Sequence, residues 1–231
     1  MKFNSSFKHF IDLIVPRHCL CCRRKLLLEE KYVCLHCMLE LPHSQDWLNR
    51  ENSLKTRLEE LIPVEYAVSL LAYNSESRFR KILHALKYEN QPQIGNYFGE
   101  MLGRHVLMNP DLASADYICP IPLHTKKLKD RGYNQSAHLA QGVANTSGII
   151  FNDNNLVRTK NTSTQTKKSA SERKVNVKNV FQCVNPSLFQ DKHIILIDDV
   201  ITTGATIESC TYAVLPNCNA RISVLCLARM I

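Results

Sequence analysis

The 231-residue chain reads as an α/β protein, a mainly parallel sheet with crossover helices preceded by a small four-cysteine module. Three observations predict this. From Val64 onward, strand-like runs alternate with helical apolar stripes, the pattern of a sheet wound with crossover helices. Ile194 to Ile197 is apolar at every position, as a strand covered on both faces must be. Five of the ten cysteines crowd into residues 19–37, ahead of the alternating region.

In chain order, Phe3, Phe7, Phe10, Ile11 and Ile14 recur at helical spacing and predict a short amphipathic helix docked on the body. Residues 41–62 are polar with weak helical character and run up to Pro63. A boundary is expected there, with 1–62 holding the helix, cysteine module and linker, and 63–231 the α/β domain. Val64 to Tyr73 reads as a strand. Phe79, Ile82, Leu83 and Leu86 mark one helical face; Ile94, Tyr97, Phe98, Met101, Leu102 and His105 mark another. Asp116 to Ile121 is a strand, followed by a basic loop and a helix from Gln135 to Ala144. Residues 156–159 and Phe181 suit short paired strands, and the aperiodic stretch between them is a long loop. Ile194 to Ile197 is a central strand, Ala205 to Leu215 a helix, and Ile222 to Leu227 a closing strand.

An apolar content of 45% and a charged content of 22% argue against a disordered or membrane class. No run approaches the ~18 apolar residues of a spanning helix, and Asp12 interrupts the only apolar run near the start. A cytoplasmic protein without membrane insertion is expected. In a reducing compartment Cys119, Cys183, Cys210, Cys218 and Cys226 read as small buried residues. The net charge is +8, and residues 121–180 hold eleven basic side chains against three acidic ones, the whole excess. Such a sector suits a phosphate-rich small ligand or a nucleic acid, both bound through anionic oxygens.

Cys19-x-x-Cys22 and Cys34-x-x-Cys37 are two knuckles separated by eleven residues, near the lower end of zinc-ribbon spacing. Each turn presents two thiolates on one side, and two turns complete the tetrahedron that structural zinc favours. A redox or disulfide role is the competing reading. Cys21 adjoins a ligand and could substitute for a neighbour.

Residues 193–206, HIILIDDVITTGAT, carry the most chemistry. An apolar strand delivers Asp198 and Asp199 to its carboxyl end, and a short loop leads through Val200 to Thr202, Thr203, Gly204, Ala205 and Thr206 at a helix start. Neighbouring strand residues face opposite ways, so both aspartates meet one ligand only if the strand ends there. A helix start offers unpaired amides and the positive end of the peptide dipole to a phosphate. The acidic pair can accept hydrogen bonds from vicinal ribose hydroxyls. The competing readings are a polar strand-to-helix turn capped by Asp and a metal-dependent aspartate site.

This segment resembles the phosphoribosyl pyrophosphate (PRPP) motif of type I phosphoribosyltransferases. Together with the CxxC pairs it resembles the ComF family of competence-associated and GntX-type proteins. Similarity extends to LHALKYEN at 83–90, CPIPLHTKKLKDRGYNQS at 119–136, Gln165 with SERKVNVKNVF at 171–181, and LAR at 227–229. The resemblance implies a type I phosphoribosyltransferase fold with a flexible hood at 160–178. It implies that Asp198 and Asp199 hold the ribose of PRPP with Mg2+, and that residues 202–206 hold its 5′-phosphate. The turn near Pro122 and Leu123 becomes the pyrophosphate loop, assisted by Lys126, Lys127 and Arg131, and Arg173 falls in the hood. Lys87, Gln165 and Asn176 lie in family-like segments without assigned roles. Expected partners are PRPP or another phosphorylated ribose, single-stranded DNA and the DNA-uptake machinery of natural competence. The activity implied is transfer to an unidentified acceptor. The alternative is a non-catalytic module that grips single-stranded DNA with its zinc finger and basic loops, with Tyr133 as stacking surface. A third reading of those loops is a solvated charge run. LPNCNA at 215–220 departs from the small Gly-containing turn of the family.

Overall fold

The computed structural model describes residues 15–74, 76–159 and 180–231. The expected helix within 1–14 and the hood, with Gln165, Arg173 and Asn176, lie outside the described residues. In chain order the helices are α1 (Leu35–Leu39), α2 (Ser53–Glu59), α3 (Arg80–Tyr88), α4 (Gln93–Leu107), α5 (Pro110–Ala113), α6 (Thr125–Arg131), α7 (Gln135–Ser147) and α8 (Ala205–Val214). The strands are β1 (Ala67–Tyr73), β2 (Tyr117–Pro120), β3 (Ile150–Phe151), β4 (Leu156–Arg158), β5 (Phe181–Cys183), β6 (His193–Ile201) and β7 (Arg221–Met230).

Five strands form one sheet in the order β1-β7-β6-β2-β3, every neighbouring pair parallel. Strands β4 and β5 make a separate antiparallel pair, the pairing expected for residues 156–159 and Phe181. Alternation along the central strands serves two cores. Ile195, Ile197, Leu225 and Leu227 pack with α3, α4 and α7, while Ile194, Leu196, Val224 and Cys226 pack with α2, α8 and the β4–β5 pair. Cys119, Cys183, Cys210, Cys218 and Cys226 are all buried.

The basic loop after β2 differs from the expectation, since residues 125–131 coil into α6. Its ends explain this: the His124 Nδ1 accepts from the Lys126 amide at 3.1 Å, and Gly132 closes the helix at φ 82°, the left-handed cap that glycine adopts freely. The departure at LPNCNA is a 3-10 turn at Leu215–Asn217, after which Cys218 is buried and its thiol donates to the Val214 carbonyl.

Residues 41–62 fit closely against the sheet. The amide of Ser44 donates to Leu70 O and that of Ala72 to Pro42 O, so this segment covers the exposed edge of β1. Buried Asp46 pairs with Arg229 at 3.1 Å and accepts from the Ser69 hydroxyl at 2.7 Å. Asn52 caps α2 by accepting from the amides of Leu54 and Lys55, and Leu54, Leu58 and Ile62 are buried beneath α8 and β6. From the cysteine module, Leu20, Leu26, Val33 and Leu41 join the first core.

Helices α4 and α7 approach through glycine, a feature the apolar periodicity did not reveal. Four of the seven glycines of the chain, Gly95, Gly99, Gly103 and Gly142, lie in this contact. A methyl group on Gly99 would sit 2.9 Å from the Gly142 Cα and against the Leu139 carbonyl oxygen. Backbone cannot yield as a flexible side chain does. Helix propensity alone would make Gly99→Ala stabilising by about 1 kcal/mol. A net loss of about 1–3 kcal/mol in a denaturant melt is expected instead, the usual cost of overpacking; a stabilised variant would disprove the close approach.

Candidate functional site at the carboxyl edge of the sheet

Strands β2 and β6 are neighbours, but the chain leaves them in opposite directions, from β2 through α7 to β3 and from β6 through α8 to β7. In parallel sheets such a reversal opens a crevice beyond the carboxyl ends of the strands. Here the crevice is a cavity of about 230 Å³ lined by Ile121, Pro122 and Leu123 after β2, and by Asp198, Asp199 and Thr206 after β6. Lys87, Arg131, Gln135, Ser136 and Arg158 complete much of its wall.

Strand β6 runs beyond the expected Ile197. Its ladder with β2 ends at Pro120–Ile197, whereas its ladder with β7 continues to Ile201–Arg229. One edge of β6 is therefore uncovered from Asp198 onward, and both aspartates reach the first turn of α7 although the strand has not ended. Asp198 Oδ1 accepts from the Ser136 hydroxyl at 3.0 Å, and Asp199 Oδ2 accepts from Gln135 Nε2 at 2.7 Å. Lys87 Nζ lies 3.0 Å from Asp199 Oδ1. Asn134 builds this turn: its side-chain oxygen accepts from the Ser136 amide at 3.1 Å while its amide donates to Ile121 O at 3.0 Å. That ties the start of α7 to the end of β2.

The electrostatics of the two carboxylates differ. Burial pushes the Asp198 carboxyl up to about 7, and repulsion from Asp199 adds to it, against the Asp199 amide, the Ser136 hydroxyl and the Lys87 charge. The buried Gln135 Oε1 has no hydrogen-bond partner among the described residues, so the wall of the cavity carries an unused acceptor beside the acidic pair.

The turn from β6 to α8 forms the other side. Val200, Thr202, Thr203, Gly204 and Ala205, with Asp198 and Thr206, line a cradle of about 30 Å³ contiguous with the larger cavity. Thr202, Thr203, Ala205 and Thr206 are exposed. Gly204 is the N-cap of α8 at φ 85°, so no cap side chain occupies the first amides of that helix. The Ala205 amide makes only a 3.4 Å contact with Thr203 Oγ1. A Cβ on Gly204 would meet Leu58 Cδ2 at 2.7 Å and Leu61 Cδ1 at 3.1 Å, so the turn rests on the segment that carries α2.

Of the residues singled out in the sequence, Asp198, Asp199, Thr206, Pro122, Leu123, Lys127 and Arg131 share the larger cavity. Lys126 is exposed and lines neither space. Tyr133 is no stacking surface: it is 8% exposed and its hydroxyl donates to Leu86 O at 2.6 Å. Gln135, Ser136 and Arg158 were missed, and Lys87 had no role. The signal for the first two was the Asn134 cap, which marks a helix starting beside a strand end.

At the amino-terminal side, the sulfurs of Cys19, Cys22, Cys34 and Cys37 all lie within 4.8 Å of one another and could hold a metal ion. Cys19, Cys34 and Cys37 are wholly buried, and Cys34 Sγ also caps α1 by accepting from the Cys37 amide at 3.4 Å. Cys21 is buried beside Cys19 but is not one of the four. No helix among the described residues is long and apolar enough to cross a membrane.

The all-parallel sheet, the reversal at β2 and β6 and the acidic strand end leading to a Thr-Gly turn make a doubly wound α/β protein with the features that the resemblance to type I phosphoribosyltransferases implies, here carrying a four-cysteine cluster at its amino-terminal side. No family profile matches the chain. It is 34% identical over 151 residues to the DNA utilization protein YhgH of Salmonella typhi, covering 64% of this chain and 66% of that protein, just under two thirds of its length. It is 29% identical over 235 residues to the protein of that name in Escherichia coli (strain K12), covering 94% and 99% of the two chains. To Competence protein F of Haemophilus influenzae it is 33% identical over 131 residues, covering 55% and 57%. The chain is thus similar to proteins named for DNA utilization and for competence. Among solved structures, a glutamine PRPP amidotransferase from B. subtilis complexed with ADP and GMP aligns over 58% of this chain and 26% of that one, at 18% identity and a TM-score of 0.41.

Proposed function

We propose that this chain is a cytoplasmic ComF-type protein that binds PRPP, or a closely related ribose phosphate, in the crevice between β2 and β6, and serves DNA uptake or utilisation. The observation that supports this best is the convergence of two adjacent carboxylates, Asp198 and Asp199, on one cavity whose far side is the open amide turn of α8. One end suits sugar hydroxyls and the other suits phosphate. The DNA link rests on relatives named for DNA utilization and competence.

In this reading Asp198 and Asp199 accept hydrogen bonds from the ribose hydroxyls, with Gln135 Oε1 as a further acceptor. The amides opening α8 and the hydroxyls of Thr202, Thr203 and Thr206 take the 5′-phosphate. The Pro122–Leu123 turn, with Lys127 and Arg131, faces the pyrophosphate. Paired carboxylates are hard oxygen ligands suited to Mg2+, which when bound supplies positive charge to the pyrophosphate. The same aspartates stabilise positive charge developing at the anomeric carbon as pyrophosphate leaves, which is the chemistry of transfer. Four thiolates in one cluster suit structural zinc.

A calorimetric titration with PRPP and Mg2+ tests the reading, and saturable one-site binding is expected. Single-stranded DNA bound with a steep salt dependence, alongside no measurable PRPP binding, would instead support the DNA-gripping alternative and overturn this one.

A further inference from the structure

Beyond the ribose-phosphate cavity lies a larger cleft of about 610 Å³, lined by Lys87, Tyr88, Asn90, Lys127, Lys129, Asp130, Arg131 and Gly132. Four of these residues, Lys87, Tyr88, Lys127 and Arg131, also line the cavity that holds Asp198 and Asp199, so the two spaces adjoin. The cleft is a separate chemical environment. Among the described residues Lys127, Lys129 and Arg131 form no ion pair, and Asp130 is the one carboxylate that they place in the wall of the cleft. Uncompensated cations in a concavity concentrate an anion.

A second feature points past a bare anion. Tyr88 is 68% exposed, unusually open for an aromatic ring, and the Arg131 guanidinium lies over it at 5.4 Å. The His84 ring stands 5.1 Å from Tyr88 on the preceding turn of α3. A pyrophosphate alone has no use for this aromatic shelf, whereas a nucleobase stacks on such surfaces. The volume lies within the range of small-ligand pockets. These three cations all come from α6, whose seven residues span only about 10 Å, a reach for one nucleotide and not for a tracked strand.

We propose that this cleft binds a mononucleotide beside the ribose-phosphate cavity, its phosphate on Lys129 and its base against the Tyr88 ring, with Lys127 and Arg131 on the wall that the two spaces share. The inference rests on the reading above in one respect, that the neighbouring cavity is the one that takes the ribose phosphate; binding in the cleft is separable.

Calorimetry on the full chain decides it, using thymidine 5′-monophosphate, thymidine, inorganic pyrophosphate and a twelve-residue oligothymidylate as probes. The monophosphate is expected to bind with PRPP and Mg2+ already saturating, and thymidine at least roughly tenfold more weakly. Tyr88→Ala is expected to weaken the monophosphate on the order of tenfold and leave pyrophosphate unchanged, as loss of one stacking partner does. Lys129→Gln, which touches only the cleft, should weaken the monophosphate and spare PRPP. An Asp198→Asn/Asp199→Asn variant that loses PRPP but keeps the monophosphate supports the cleft; if wild type fails to bind PRPP yet binds the monophosphate, the ribose-phosphate reading falls and the cleft survives. Competition between PRPP and the monophosphate, equal binding in Tyr88→Ala, or binding of the oligonucleotide alone would overturn the proposal.

Discussion

With zinc proposed at the four thiols, chelation should unfold residues 17–41 and leave the parallel sheet standing. The module has one short helix, α1, of five residues, far below the ~12–15 that hold a helix together alone. What its chain gains from folding comes from two sources. One is the thiol cluster, and the other is contact with the body through Leu20, Leu26, Val33 and Leu41, the Tyr32–Tyr97 ring pair at 5.3 Å and the Lys81 ammonium on Cys21 O at 3.1 Å. Zinc-finger peptides owe about 10–16 kcal/mol to their metal, whereas four apolar side chains at about 1.5–3 kcal/mol each supply about 6–12, against an ordering cost of about 1–2 kcal/mol for each residue of the segment. Elemental analysis should find one metal per chain, and Cys34→Ser should lose it. Hydrogen exchange should then rise across residues 17–41 while residues 193–197 in β6 stay protected. A metal-free chain with that segment still protected would remove the metal from the account.

The elements were legible wherever one physical period ruled. The continuous apolar run of β6 and the stripes of α3 and α4 were read correctly because each face is buried by a single layer. The CxxC spacing located a cluster whose geometry agrees, since two knuckles offer few other ways to satisfy four thiols. The site was legible only on the strand that carries the charge. Asp198 and Asp199 stood out against apolar neighbours, but Gln135 and Ser136, which receive them, look like any helix start until α7 is placed against β6 by the strand order. Tyr133 and Tyr88 show the same limit. Both border basic segments, and nothing in composition tells that one hydroxyl is sealed under α3 while the other ring faces solvent. The glycines of α4 were silent because an apolar stripe records what a helix buries and not how closely it is approached.

Changing both Asp198 and Asp199 to Asn should lower PRPP affinity at least about a hundredfold without unfolding the domain. Each carboxylate that accepts a hydrogen bond from a ribose hydroxyl contributes about 1.5–3 kcal/mol as a charged partner, and two together give about 3–6. The single variants separate the roles. Asp199→Asn takes away the carboxylate 3.0 Å from Lys87, so the unliganded protein should lose about 1–3 kcal/mol. Asp198→Asn should behave oppositely. Its carboxyl titrates at about 7 in the fold against 3.8 for an ordinary aspartate, so between those values the folded state holds a proton that the unfolded chain has released. Stability of the unliganded wild type should therefore fall as pH rises from about 4 to 7 through this group. Asn has no proton to lose, and its melting temperature should show a flatter profile over the same window. A ligand that accepts neither variant while the pH profile of Asp198→Asn flattens would tie binding and titration to one carboxylate. Unchanged affinity in the double variant would show that the sugar is held elsewhere.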